Sequence, residues 1–272
     1  MRMIDSHCHF DFPDFDQDRA RVLQQTIAAG VEVVVVPGVR AATWDSLLHL
    51  CEEESHLVAA LGLHPYFIDE HQLSHVRYLQ DLIMANAQNV VAVGEIGVDA
   101  RKPELERQWA LFRAQLDIAQ ALNKPVIVHS VKTHDEVYAE LKRRDLPKRG
   151  VIHAFSGSAQ QARHFVEIGY KLGIGGVITY ERSHKTREAV RQMPVDALVL
   201  ESDAPDMPMA NHRGERNSPQ WLPDVLAALA ELRGESPDWL AEKLWRNACE
   251  LFERDFSGIS RKSCSHSLEV FL

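Results

Sequence analysis

Short apolar stretches alternate along the whole chain with longer segments of helical periodicity. Residues 31–37 are mostly β-branched, as expected for a strand buried on both faces. Residues 103–122 instead place Trp109, Phe112 and Leu116 on one helical face. The pattern predicts strands at 3–10, 31–37, 57–63, 90–94, 125–129, 150–153, 170–174 and 197–200. Helices are predicted at 14–29, 41–54, 73–87, 103–122, 132–144, 158–168, 183–193, 219–233 and 237–252.

Eight buried strands that alternate with helices predict a parallel α/β sheet, and eight repeats allow closure into a (β/α)8 TIM barrel. An open doubly wound sheet is the alternative, but no Gly-x-Gly-x-x-Gly motif follows the first strand. No linker divides the chain, so residues 1–255 are predicted to form one domain. Residues 256–272 are rich in serine and are predicted to form a loosely ordered tail.

The composition is ordinary for a globular protein of 272 residues, with 45% hydrophobic and 25% charged residues. The net charge of −9 argues against a broad basic surface that coats nucleic acid. The four cysteines lie far apart, and no apolar run has the length of a membrane span. A strand begins almost at the first residue, so we expect no signal peptide and a cytoplasmic location. No membrane association is expected, and no obligate protein partner is inferred from the sequence.

Two histidines, His7 and His9, lie one residue apart on the first predicted strand. Alternate side chains of a strand point to the same side, so the two imidazoles project together. Such a pair can bind one divalent cation, although His-x-His also occurs by chance in a chain with 14 histidines. Ligands at other strand ends decide between these interpretations.

Matching candidates do follow the ends of other predicted strands: Glu95, His129, His153 and Asp203. In a (β/α)8 barrel these positions converge on the C-terminal mouth, where the active sites of this architecture lie. The six residues together therefore predict a metal site.

Six ligands that include two carboxylates are too many for one tetrahedral zinc ion, so a centre with two divalent ions is predicted. Glu95 is placed as the bridge between the ions, with His7, His9 and Asp203 on one of them. His129 and His153 are placed on the other. Zinc, manganese, nickel and magnesium all remain open.

Such a centre lowers the pKa of a bound water and stabilises charge on a leaving oxygen. Asp203 is the candidate general base, which makes Asp203 and Glu95 the predicted catalytic residues.

Several motifs together resemble the TatD family of metal-dependent deoxyribonucleases in the amidohydrolase superfamily, and within it the bacterial YjjV subgroup. The family motifs are His7-Cys8-His9, residues 94–99, residues 153–157, residues 201–205 and Arg216-Asn217-Ser218-Pro219. The subgroup is indicated by His129-Ser130 with Thr133-His134-Asp135 and by residues 173–180. The resemblance covers about residues 3–253.

The resemblance implies a (β/α)8 barrel, a two-metal centre at the six residues named above, and hydrolysis of phosphodiester bonds in DNA, often from the 3′ end. The expected partner is DNA or another phosphodiester, bound at the active site only. This chain departs from the family at two places. Many members carry an arginine two residues after the strand-five histidine, where this chain has Val131, and the segment 100–102 is short.

Substrate contacts are predicted for side chains that follow the strand ends. His64 faces the mouth after strand three, and Tyr66 and Phe67 beside it are candidates for contacting a base. Phosphate contacts are predicted for Lys132, Arg213 and Arg216, although exposed loop charges often have no such role.

Two alternatives to a nuclease remain open. The same centre would polarise a carbonyl, so the chain can also be an amide or small-ester hydrolase. A barrel that binds metal without catalysis belongs to a different class. Such a protein has no need of Asp203, and its presence counts against that alternative.

Overall fold

The computed structural model describes residues 1–259 and shows eight parallel strands paired in chain order. The strands are β1 (Met3–Asp5), β2 (Val31–Gly38), β3 (Leu57–Leu61), β4 (Val90–Asp99), β5 (Val126–Val131), β6 (Gly150–Ile152), β7 (Lys171–Ile174) and β8 (Leu198–Leu200). The helices are α1 (Arg19–Ala28), α2 (Trp44–Glu53), α3 (Leu73–Ala85), α4 (Leu105–Leu122), α5 (His134–Arg144), α6 (Ala159–Glu167), α7 (His184–Gln192), α8 (Leu222–Arg233) and α9 (Pro237–Leu251).

The sheet curls into a nearly closed barrel, which confirms the predicted fold class. β1 and β8 meet through single hydrogen bonds in place of a ladder: Ser6 N–H donates to the Leu200 carbonyl at 2.9 Å, and Asp203 N–H donates to the His7 carbonyl at 2.9 Å. These bonds bring the ends of the first and last strands together. The open-sheet alternative is thereby excluded.

Side chains alternate along each strand between the barrel interior and the helical layer. On β2, Val33 and Val35 belong to the inner cluster, whereas Val34 and Val36 belong to the cluster shared with the helices. The inner cluster continues into α9, which packs against β1 and β8. The end of the barrel that α9 covers, which we call the lower end, is therefore apolar, and the six predicted ligands lie at the opposite end.

β4 is longer than the predicted strand 90–94 and carries Glu95 within it. A Cβ built on Gly97, which has a φ of +148°, would lie 1.9 Å from the His129 carbonyl oxygen. Glycine therefore allows β4 and β5 to approach closely, and pairing continues from Ile96 to Asp99. The strand therefore continues beyond residue 94, where it was predicted to end.

The packed chain extends beyond α9. Phe256 is fully buried and joins the inner apolar cluster through the lower end of the barrel. Residues 260–272, which make up most of the predicted tail, lie outside the described residues. Within residues 1–259, no helix combines the length and the apolar composition needed to cross a bilayer.

Candidate metal centre

The carboxylate of Glu95 lies at the centre of the barrel mouth, and its two oxygens face different imidazoles. Oε2 lies 3.2 Å from His7 Nε2 and 3.4 Å from His9 Nε2. Oε1 lies 2.9 Å from His64 Nε2 and 3.0 Å from His129 Nδ1. The side chain of Glu95 is only 1% exposed, so its charge is satisfied within the site and not by bulk water.

Asp203 and His153 complete the cluster of the six predicted ligands. His153 Nε2 lies 3.5 Å from Asp203 Oδ1 and 3.7 Å from Glu95 Oε1. Asp203 Oδ1 lies 3.8 Å from His7 Nε2 and 3.9 Å from His9 Nε2. The structure thus brings together ligand candidates from strand ends that are nearly two hundred residues apart in sequence.

The electrostatics of the cluster are dominated by burial and by the proximity of carboxylates to imidazoles. Burial favours a raised pKa for the Glu95 carboxyl, but His64, His7 and His153 outweigh it and hold this pKa well below its usual range. Burial likewise lowers the pKa of the His153 imidazole, but the neighbouring carboxylates reverse the effect and raise it to about 10. The Glu95 carboxyl is therefore ionised, and imidazole nitrogens lie close to both of its oxygens.

The donor set fits divalent cations. Glu95 Oε2 is buried and has no hydrogen-bond partner in residues 1–259, although two Nε2 atoms flank it. Nitrogen and oxygen atoms lie within 4.8 Å of one another in three groups: His7, His9 and Glu95; His7, His153 and Asp203; His64, Glu95 and His129. Imidazole nitrogens and carboxylate oxygens are the ligands that zinc and manganese take in proteins.

His64 differs from the other histidines in its hydrogen bonding. The Tyr66 backbone N–H donates to His64 Nδ1 at 2.9 Å, so the neutral ring carries its proton on Nε2. That Nε2–H group donates to Glu95 Oε1 at 2.9 Å. Because Nδ1 accepts from a backbone N–H, the Nε2 proton cannot move to Nδ1 and free an Nε2 lone pair for a metal, so His64 is a hydrogen-bond donor in this arrangement and not a ligand.

Three carboxylates that were missed in the sequence hold the candidate ligands in place. Glu201 Oε1 lies 3.2 Å from His153 Nδ1, and Asp99 Oδ2 lies 3.5 Å from His129 Nε2. Asp5 Oδ1 accepts hydrogen bonds from the backbone N–H groups of His7 at 3.2 Å and Ser202 at 2.9 Å. Asp5 and Glu201 each precede a candidate ligand by two residues, which is the signal that could have identified them.

The mouth opens into a cavity of about 520 Å³. Of the predicted substrate-contacting residues, His64, Tyr66 and Phe67 line it. Lys132 and Arg213 are exposed and lie outside the lining. Arg101, on the short segment after β4, lines the cavity and was not among the predicted substrate-binding residues.

Arg216 also lies outside the cavity lining and has partners within the protein. Its guanidinium pairs with both oxygens of Asp18, at 2.8 Å and 3.0 Å, and lies over the Phe15 ring at 4.5 Å. The ion pair between Arg216 and Asp18 therefore links the loop after β8 to the start of α1. This pairing gives Arg216 a structural role, and its contact with a phosphate stays a prediction.

A (β/α)8 barrel with clustered His, Glu and Asp donors at its C-terminal mouth is typical of metal-dependent hydrolases. A family model described as "TatD related DNase" matches residues 4–253 of this chain. The chain therefore belongs to the TatD family and is a metal-dependent hydrolase. The family predicted from the sequence motifs is confirmed.

Individual relatives agree with this assignment. The chain is 46% identical over 253 residues to the uncharacterized metal-dependent hydrolase YjjV of Escherichia coli, covering 92% of this chain and 98% of the relative. It is 39% identical over 263 residues to an uncharacterized metal-dependent hydrolase of Haemophilus influenzae, covering 93% and 100%. The crystal structure of E. coli YjjV, a TatD homologue, superposes with a TM-score of 0.91 at 45% identity, covering 93% of this chain and 99% of that one.

Proposed function

We propose that the protein is a deoxyribonuclease of the 3′–5′ exonuclease type that uses two divalent metal ions held around Glu95. The observation that carries the two-metal proposal is the use of both Glu95 oxygens, with His7 and His9 at Oε2 and His129 at Oε1. A carboxylate in this position is suited to bridge two ions. The family description as a DNase supports the choice of DNA as substrate.

The imidazoles are assigned by the oxygen of Glu95 that each one faces. Asp203 is assigned with His7 and His9, whose Nε2 atoms lie 3.8 Å and 3.9 Å from its Oδ1. His7, His9 and Asp203 would hold one ion, His129 and His153 would hold the other, and Glu95 would contribute to both. When bound, the ions supply a water of lowered pKa and positive charge for the phosphoryl and leaving oxygens. Zinc, manganese, nickel and magnesium each suit a mixed set of nitrogen and oxygen donors.

Two side chains are placed to move or hold protons. Asp203 reaches the cavity with 12% of its side chain exposed, and it takes the proton of the attacking water. His64 lines the same cavity and offers its Nε2–H as a hydrogen-bond donor to a substrate oxygen. His153 is fixed by Glu201, so its Nε2 keeps facing Asp203.

The test is cleavage of single-stranded and nicked DNA, labelled at the 3′ or the 5′ end, by metal-free protein to which Mg²⁺, Mn²⁺ or Zn²⁺ is returned. We expect metal-dependent release of nucleotides from the 3′ end, and loss of that release in Asp203→Asn. Absence of release with every metal would contradict the proposal. A parallel panel of amides and small esters identifies an acyl hydrolase if those substrates are strongly preferred.

A further inference from the structure

One wall of the cavity combines aromatic rings with positive charge. It is formed by Tyr66 and Phe67 after β3 and by Arg101 after β4, and Lys102 lies beside it outside the lining. Lys102 Nζ lies 3.3 Å from the centroid of the Tyr66 ring. Tyr66 is nevertheless 57% exposed as a residue, so aromatic surface remains available at the mouth. An exposed ring beside a cation is the combination that proteins use to bind single-stranded nucleic acid.

Arg101 is held in position by a buried partner. Asp99 Oδ1 accepts from Arg101 Nε at 3.2 Å and from the Arg101 backbone N–H at 2.8 Å, and Asp99 Oδ2 accepts from Nη2 at 3.0 Å. The Asp99 side chain is 1% exposed, whereas the Arg101 side chain is 58% exposed. A guanidinium carries five N–H donors, so donors remain for an anion after Asp99 has been satisfied.

Charge is distributed unevenly around the mouth. Among the cavity-lining residues of the described chain, Arg101 is the one arginine or lysine. Asp14 and Asp206 line the cavity from the loops after β1 and β8. A phosphate next to the reacting one is therefore attracted to the Arg101 wall and repelled by the two aspartates.

We propose that this wall is a nucleotide subsite, in which Arg101 contacts the phosphate next to the scissile bond and Tyr66 stacks on the adjoining base. The subsite rests on the proposed nuclease function and adds to it the residues that recognise the substrate. It replaces Lys132, Arg213 and Arg216 as the source of the phosphate contact, because none of these three lines the cavity.

The phosphate contact is tested by Arg101→Gln, with Arg77→Gln as the matched control. Both variants replace one arginine by glutamine, so they change the net charge equally. Arg77 lies on α3, away from the cavity, with 90% of its side chain exposed. On a short single-stranded oligonucleotide we expect Arg101→Gln to raise KM about tenfold with kcat nearly unchanged. The slope of log kcat/KM against log salt should become flatter by about 0.7, which corresponds to one lost phosphate contact. Arg77→Gln should match wild type in both measurements.

The stacking contact is tested by Tyr66→Leu and Tyr66→Phe on two substrates, one intact and one with an abasic site next to the scissile bond. We expect Tyr66→Leu to lose about tenfold in kcat/KM on the intact strand, while Tyr66→Phe keeps most of the activity. On the abasic strand the difference between the two variants should disappear, which a merely structural role of the ring would not produce.

The outcomes separate the two proposals. A wild-type protein that cleaves no phosphodiester overturns both the nuclease function and the subsite. A wild-type protein that cleaves DNA, with Arg101→Gln equal to Arg77→Gln in KM and in salt dependence, overturns the subsite alone. Equal losses for Tyr66→Leu on intact and abasic strands overturn the stacking contact.

Discussion

His64 is the residue at which metal ligation and hydrogen bonding are most easily confused. Its Nε2 is as close to Glu95 as the nitrogen of His129 is, at 2.9 Å and 3.0 Å. The backbone N–H of Tyr66 separates the two cases, because it occupies His64 Nδ1 and leaves the proton on Nε2. Sequence patterns contain no information about this bond, which depends on the turn after β3.

A substitution at His64 distinguishes a ligand from a donor. We expect His64→Gln to keep the wild-type number of bound metal ions per chain, measured by elemental analysis after dialysis. Its kcat/KM on DNA should fall by about 10- to 100-fold, the usual value of a hydrogen bond to a charged group. Loss of one ion per chain in His64→Gln would instead show that His64 is a ligand.

At the scale of elements, the ends of β6, β7 and β8 form one unit around Glu201. Glu201 accepts a hydrogen bond from the Ala154 backbone N–H and pairs with His153 Nδ1 at 3.2 Å. A Cβ built on Gly173 of β7 would lie 2.1 Å from Glu201 Oε2. The absence of a side chain at Gly173 therefore leaves room for the carboxylate that orients His153.

We expect Gly173→Ala to displace Glu201 and to release the His153 ring. Loss of a partner that orients a ligand typically weakens metal binding by about 10- to 100-fold, which titration against a competing chelator measures. Gly258→Ala is the matched control, since nothing lies within 4 Å of its added Cβ. Wild-type metal affinity in Gly173→Ala would show that Glu201 does not position the ligand.

The sequence predicted the order and type of the elements well, because buried strands and amphipathic helices have different periods. It also predicted which strand ends bring their His, Glu and Asp side chains together, since parallel strands place their C-terminal ends at one mouth. It did not predict the length of β4, in which Gly97 allows the strand to pack closely against His129 of β5. Nor did it predict that Arg216 pairs with Asp18, a contact across about two hundred residues.

At the scale of the whole molecule, the two ends of the barrel differ in composition: one is apolar and the other holds the candidate metal centre. The lower end is apolar and is closed by α9 and by Phe256, which is fully buried. The upper end holds the buried carboxylates and imidazoles around Glu95. Apolar packing at the lower end therefore stabilises the barrel that positions the polar residues of the mouth.

Truncation of Phe256, which closes the lower end, should destabilise the barrel. We expect Phe256→Ala to lower the free energy of unfolding by about 3–5 kcal/mol in urea denaturation, because it removes a buried ring and leaves a cavity. Leu73→Ala is the control, since Leu73 is 84% exposed and should change stability little. A loss in Phe256→Ala no larger than that of the control would contradict this role.

The bridging position of Glu95 between two ions is tested most directly by a crystal structure of the protein with Mn²⁺ or Zn²⁺ and an anomalous difference map. We expect two peaks about 3.5–4 Å apart, one on each oxygen of Glu95. Asp203, His7 and His9 should surround one peak, and His64 should bind neither ion. A single ion, or two ions that do not share Glu95, would contradict the two-metal centre.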